Sequence, residues 1–101
     1  MKSLRKEKAI RLVMKNGRKK WSKLGRAFIL PSDELEIAIV TKKEIGGAVK
    51  RNKIRRRIKE AIRTTQYRVN NKCQLVLFAS PIVDKLNNQE IKEAINEIFA
   101  L

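Results

Sequence analysis

Between Lys42 and Arg63, ten of 22 positions are Lys or Arg, and only Glu44 and Glu60 oppose them. The chemistry open to such a segment is anion recognition. A guanidinium forks two hydrogen bonds onto one phosphate, and a lysine ammonium adds a point charge. Arg51 with Arg55, Arg55 with Lys59, and Lys59 with Arg63 stand four apart. On a helix such like-charged pairs cost roughly 0.2–0.5 kcal/mol each, so repulsion that so few acids offset calls for an external polyanion. A merely solvated charged face is the usual fate of a charge run, but such faces normally mix signs. Gly46-Gly47 just upstream has two readings: a loop that brings backbone N–H groups and a helix N-terminus to a phosphate, or a plain strand-to-helix turn. It lacks the spacing of a nucleotide-binding P-loop.

No other chemistry competes. The chain has no histidine, its one cysteine (Cys73) lies beside the apolar run Leu75-Val76-Leu77, and its ten acids are scattered. No nucleophile-base pair, transition-metal site or two-metal carboxylate cluster can be assembled, so neither catalytic nor metal-ligating residues are expected. Across 101 residues, 25 Lys and Arg face 10 Asp and Glu, a net charge of +15. That imbalance repels itself and suits a chain that lives beside nucleic acid. No apolar stretch approaches the roughly 18–20 residues of a membrane span, and the N-terminus has no secretory pattern. A lone buried thiol fits the reducing cytoplasm, and the length fits one domain.

The elements that must position the cationic segment can be read from periodicity. Ser3 is placed to cap a first helix over Leu4 to Lys15, with Ile10, Val13 and Met14 at helical spacing before Asn16-Gly17. Arg18 to Trp21 reads as a short edge strand and Leu24 to Leu30 as a second, ended by Pro31. Leu35 to Thr41 alternates, with Leu35, Ile37 and Ile39 on one face and Glu36, Ala38 and Val40 on the other; it is expected to form a hairpin with the strand before it. Ile54, Ile58, Ala61 and Ile62 make an apolar stripe on a helix from about Ala48 to Thr65, opposite Asn52, Arg56, Lys59 and Arg63. Arg51 falls beside that stripe. Gln74 to Ala79 reads as a strand buried on both faces, and Asn87 with Glu90 as the capping box of a last helix. Trp21 is either an edge residue covering the sheet or a stacking platform.

The ordered residues Gly46, Ala48, Val49, Arg51, Asn52, Ile54, Arg55, Arg56, Ile58 and Glu60 resemble the signature G-x-A-V-x-R-N-x-φ-K/R-R of the bacterial ribonuclease P protein component. The likeness in element order and length extends over nearly the whole chain. It implies a single α+β domain, α-β-β-β-α-β-α, with one four-stranded mixed sheet of the type seen in the second domain of ribosomal protein S5. Its third and fourth strands are then parallel and joined through the Arg-Asn helix by a left-handed crossover, where generic rules favour the right-handed one. The resemblance further implies that Lys43, Gly46, Lys50, Arg51, Asn52, Lys53, Arg55, Arg56, Lys59 and Arg63 bind the ribonuclease P RNA. It also implies that a cleft between the first helix and the sheet, with Ile10, Val13, Met14, Lys15 and Phe28, holds the 5′ leader of precursor tRNA.

In that family the RNA subunit binds Mg2+ and hydrolyses the phosphodiester, while the protein binds and positions, holds no metal itself and needs no obligate protein partner. Ile10, Val13, Met14 and Phe28 also read as ordinary core. Ile10 and Met14 stand where the family has phenylalanines, which weakens base stacking, and Glu36 and Glu44 stand where it commonly has basic residues. A ribosomal protein shares the size and charge but not the ordered signature. A DNA-binding regulator would use the same helix in a duplex groove, and an independent nuclease lacks catalytic groups.

Overall fold

The computed structural model describes residues 2–69 and 72–100. The elements are β1 (Lys2–Ser3), α1 (Glu7–Asn16), β2 (Arg18–Ser22), β3 (Gly25–Pro31), β4 (Glu36–Val40), α2 (Ala48–Val69), β5 (Cys73–Ala79) and α3 (Asn88–Phe99). Short 3-10 turns at Lys43–Ile45 and Pro81–Lys85 lead into α2 and α3. All strands join one mixed sheet in the order β1-β4-β5-β3-β2, so the chain is a single α+β domain. It has one strand more than expected, the two-residue β1.

Leu75, Val76 and Leu77 are completely buried. Successive strand residues face opposite sides, so β5 must be covered on both faces, and it takes the centre of the sheet. It runs parallel to β4 and antiparallel to β3, with Leu77 registered between Ile39 and Ala27. The expected hairpin between β3 and β4 is thereby corrected: β5 separates them. A direct hairpin would leave the most apolar strand at an edge, whereas insertion gives it two apolar neighbours. The parallel pair joined through the Arg-Asn helix is present as β4-α2-β5.

A second correction concerns the first helix, which starts at Glu7 and not at Leu4. Lys2 N–H donates to Leu35 O and Leu4 N–H to Ile37 O, which draws the N-terminus into parallel pairing with β4. Leu4 is buried by this, and burying a leucine is worth roughly 1.5–3 kcal/mol, more than the roughly 1 kcal/mol of the Ser3 cap it forfeits. Lys6 is the N-cap and makes no side-chain cap bond.

Strand alternation divides the core. Ala27, Ile37, Ile39, Leu75 and Leu77 face α2 and α3 and pack with Ile54, Ile58, Ile62, Ile91, Ile95 and Ile98. Phe28, Ala38 and Val76 face the other way and pack with Leu4 and Val13. Among the described residues α1 is the helix that covers this second face, over β3 and β5. At ten residues it is about 15 Å long, too small to roof a five-stranded sheet. The first face is closed by local devices. Arg57 donates to Val83 O at 2.9 Å, to Leu86 O and to Asn88 Oδ1, tying α2 to the start of α3. The capping box is present: Asn87 Oδ1 accepts from Glu90 N–H, and Glu90 Oε1 accepts from Asn87 N–H. Lys20 donates to Glu97 O and Ala100 O at the end of α3, where carbonyls lack helical partners.

Cys73 is buried, and desolvation pushes its thiol up to about 11 from an ordinary 9.0. Stability carried by the neutral thiol is therefore complete below pH 9.0 and is lost as pH rises through about 11. Alkylation of the native protein at about pH 8 is expected to be slow and to become fast only in denaturant; prompt labelling of the native chain would show the site to be open. Among the described residues no helix is long and apolar enough to cross a membrane.

Candidate nucleic-acid interface

Ile54, Ile58 and Ile62 are fully buried and Ala61 nearly so, which fixes the rotation of α2 and turns Asn52, Arg56 and Arg63 to solvent. Asn52, Arg55, Arg56, Lys59, Glu60 and Arg63 line one open depression of about 320 Å³. The cations of this region are not equivalent. Arg55 donates to Thr41 Oγ1 at 2.7 Å and to Asn52 Oδ1, so the end of β4 orients it. Arg63 forks onto both oxygens of Glu60 at 2.5 and 3.2 Å. That hydrogen bond, with the charges of Arg63 and Lys92, holds the Glu60 carboxyl below its usual range against the opposing effect of desolvation. Lys53 lies 3.7 Å from Asp84. The side chains of Lys43, Lys50, Arg56 and Lys59 make no hydrogen bond or ion pair within the described chain.

The start of α2 has no acid in its first turn and carries Lys50 and Arg51 instead. Cations at a helix N-terminus oppose the macrodipole, an arrangement an anion would relieve. Arg51 is half-buried beside the apolar stripe, and its Nε is buried without a hydrogen-bond partner. Gly46 holds φ +145°, a conformation that side chains rarely adopt, and its N–H closes the 3-10 turn onto Lys43 O.

The five residues assigned to a cleft separate on the structure. Val13 has no exposed surface and seats α1 on the sheet. Phe28 is 8% exposed and lies in the same cluster. Ile10 is half-buried, Met14 is 37% exposed and Lys15 is exposed, so these three form the accessible rim of α1. Two-residue β1 pairs only with Glu36 and Ile37, leaving the outer edge of β4 open from Ala38 onward. In the notch there, Ile10 from α1 and Lys59 from α2 line one cavity with Ala38 and Val40. The two candidate surfaces thus meet at this edge.

Sequence reading named Trp21 and Phe28 but missed the residues that join them, Arg26 and Phe78. Arg26 stands with its guanidinium carbon 4.9 Å from the Phe78 centroid and 5.5 Å from that of Phe28. The two rings meet edge-to-face at 6.1 Å. Lys42 Nζ is 6.0 Å from Phe78, and Lys19 Nζ is 4.9 Å over Trp21. Trp21 is 71% exposed, so of its two readings the edge residue that covers the sheet does not hold. The available signal was strand alternation, which puts Phe28, Phe78 and Arg26 on one face once β5 is known to lie beside β3. Among the described residues no three His, Cys, Asp or Glu come together to hold a metal ion.

These features define a small α+β domain that lays a cationic helix over one face of a mixed sheet and leaves part of the other face open. Within that class the chain belongs to the ribonuclease P protein family, whose model, "Ribonuclease P", matches residues 1–100. A ribonuclease P protein component from Desulforapulum autotrophicum is 28% identical over 87 residues, 84% of this chain and 74% of that protein. One from Thermus scotoductus is 42% identical over 52 residues, 52% of this chain and 30% of that protein. The same fold occurs in the RNase P protein of Staphylococcus aureus, with TM-score 0.83 and 18% identity over 97% of this chain and 92% of that one. It occurs likewise in that of Thermotoga maritima, with TM-score 0.84 and 17% identity over 98% of this chain and 96% of that one.

Proposed function

We propose that this chain is the protein subunit of a ribonuclease P holoenzyme, an endoribonuclease that removes the 5′ leader of precursor tRNA in the cytoplasm. The observation that carries this reading is the solvent-facing side of α2, where Arg56 and Lys59 have no partner inside the described chain. In a protein with net charge +15, such groups are poised to neutralise phosphates of the ribonuclease P RNA and release its counterions. Arg55, pre-aimed by Thr41 and Asn52, adds a directional donor, and the acid-free start of α2 with Lys50 and Arg51 takes a further phosphate. The exposed rim of α1, Ile10, Met14 and Lys15, receives the single-stranded leader. Glu60 leaves part of the charge of Arg63 already offset, which makes Arg63 a weaker contact than Arg56. Lys53, paired with Asp84, is weaker for the same reason.

Among the described residues the acids do not assemble into a metal site, so we assign the Mg2+ ions and the hydrolytic step to the RNA subunit. The polypeptide binds, screens phosphate repulsion and positions the substrate. Reconstitution with a bacterial ribonuclease P RNA at low Mg2+ tests this. Cleavage of precursor tRNA is expected with both subunits and with neither alone; an RNA whose activity the protein leaves unchanged would refute the proposal. Met14→Ala, which removes a partly exposed apolar side chain from the rim of α1, is expected to reduce the preference for precursor over mature tRNA by roughly threefold to tenfold. Equal losses for both RNAs would place Met14 outside the leader contact.

A further inference from the structure

The groove between α2 and α3 is a second depression that the cationic helix borders. Arg56, Glu60 and Thr64 of α2 stand opposite Asn88 and Lys92 of α3, over a floor that includes Ile91, around a cavity of about 400 Å³. Arg56 and Glu60 also line the depression on the solvent side of α2, so the two hollows share that ridge. Arg57 ties α2 to the start of α3 by donating to Val83 O, Leu86 O and Asn88 Oδ1, which sets the groove before any ligand arrives. The charges of α3 are sorted about it. Lys92 is the single cation of that helix, and it lies in the groove. With about 3.6 residues per turn, Glu90, Glu93 and Glu97 fall on the flank of α3 turned away from Asn88 and Lys92. The Lys92 side chain makes no hydrogen bond or ion pair within the described chain.

Glu60 is the one acid of α2, and it stands on the ridge between the two hollows. Arg63 forks onto both of its oxygens, and that bond, with the charges of Arg63 and Lys92, holds its carboxyl below the ordinary range. A phosphate accepts the same fork. The Glu60 side chain is 56% exposed, and an exposed pair of this kind contributes little to stability. It can therefore swing out to water without leaving a buried group unsatisfied. We propose that the groove between α2 and α3 is a second phosphate-binding line for the RNA subunit, in which Lys92 and Arg56 hold the RNA backbone, and that Glu60 stands in it as an internal anion until RNA displaces it and takes over the fork of Arg63. The proposal rests on the RNA-subunit reading given above and extends it from one helix to two. The groove has cations on both banks, whereas the acidic flank of α3 repels a polyanion, so the interface ends at Lys92.

Binding of the full chain to ribonuclease P RNA at about 0.15 M salt, without tRNA, provides the test. Glu60→Gln and Glu93→Gln remove the same charge, one inside the groove and one on the far flank of α3. Glu60→Gln is expected to tighten binding roughly threefold to tenfold, and Glu93→Gln to change it by less than about twofold. Lys92→Ala is expected to weaken binding roughly fivefold and to flatten the dependence of log affinity on log salt by about one unit, with the Tm of the free protein unchanged. Arg63→Ala should cost several-fold more in the Glu60→Gln background than alone, because with Glu60 present the lost phosphate contact is offset by the lost pair that RNA must break. Equal tightening by the two Gln variants would reduce the effect to net charge, and a lowered Tm for Lys92→Ala would assign that side chain to packing; either result overturns the proposal. If Lys92→Ala and Glu60→Gln leave affinity unchanged while Arg56→Ala/Lys59→Ala weakens it, the groove is wrong and the outer face of α2 survives. Normal binding by that double variant as well would remove the underlying reading.

Discussion

The double variant Arg56→Ala/Lys59→Ala is expected to bind ribonuclease P RNA roughly 10- to 100-fold more weakly at about 0.15 M salt while folding as stably as the parent. Both side chains stand on the solvent side of α2 and neither has a partner within the described chain, so their removal leaves no buried group unsatisfied. Lys59 also repels Arg55 and Arg63, four residues away on either side; relieving each pair returns roughly 0.2–0.5 kcal/mol. The free protein should then melt at the same temperature or slightly higher. Deleting one phosphate-binding cation flattens the dependence of log affinity on log salt by about one unit, so the double variant should show a slope smaller by about two units. Weaker binding with unchanged melting and a reduced slope identifies a phosphate-binding face. Unaltered affinity and slope would remove α2 from the RNA interface, and a lowered melting temperature would assign these side chains to packing.

Gly25→Ala should have the largest effect on stability among the glycines. Gly25 sits at φ +129°, and a Cβ built there would lie 2.0 Å from the carbonyl oxygen of Phe78. The substitution therefore combines a backbone conformation costing about 1–3 kcal/mol with a clash that only separation of β3 from β5 can relieve. A destabilisation of about 3 kcal/mol or more is expected, with a fall in Tm on the order of 10–20 °C. Gly47→Ala is the contrast: its φ is outside the left-handed region and nothing lies within 4 Å of the added carbon. Its effect on stability should be within about 0.5 kcal/mol. Comparable melting of the two variants would show that the strand contact at Phe78 is looser than described. Because Gly25 adjoins Arg26 and faces Phe78, its substitution should also disturb the cation-aromatic row.

Particular residues show which features were written locally. The stripe of Ile54, Ile58, Ala61 and Ile62 set both the existence of α2 and its rotation, because helical spacing and burial are two views of one constraint. That same rotation sent Arg56 to solvent and left Lys59 partly exposed at the open edge of β4, so the cationic face was legible from spacing alone. Asn87 and Glu90 announced the start of α3, and the unbroken Leu75-Val76-Leu77 run announced a strand covered on both sides. Arg57 shows the opposite case. In the sequence it is one more cation of the basic segment, yet it donates its hydrogen bonds to the Val83 and Leu86 carbonyls, partners that only the packing of α2 against the second 3-10 turn supplies.

Chain composition and periodicity by themselves determined that this protein is a basic α+β domain with a densely cationic helix and one buried thiol. Those properties depend on residue type and short-range spacing, which the chain carries wherever it goes. Strand order, the fate of Leu4 and the meeting of Trp21, Arg26 and Phe78 depended on which surfaces bury each other best, a contest among segments distant in sequence. Adjacent strands are not obliged to pair. Once β5 took the centre because it alone needed cover on both faces, β3 and β4 were driven apart, the N-terminus was recruited to the edge of β4, and the open end of the sheet acquired its aromatic and cationic row.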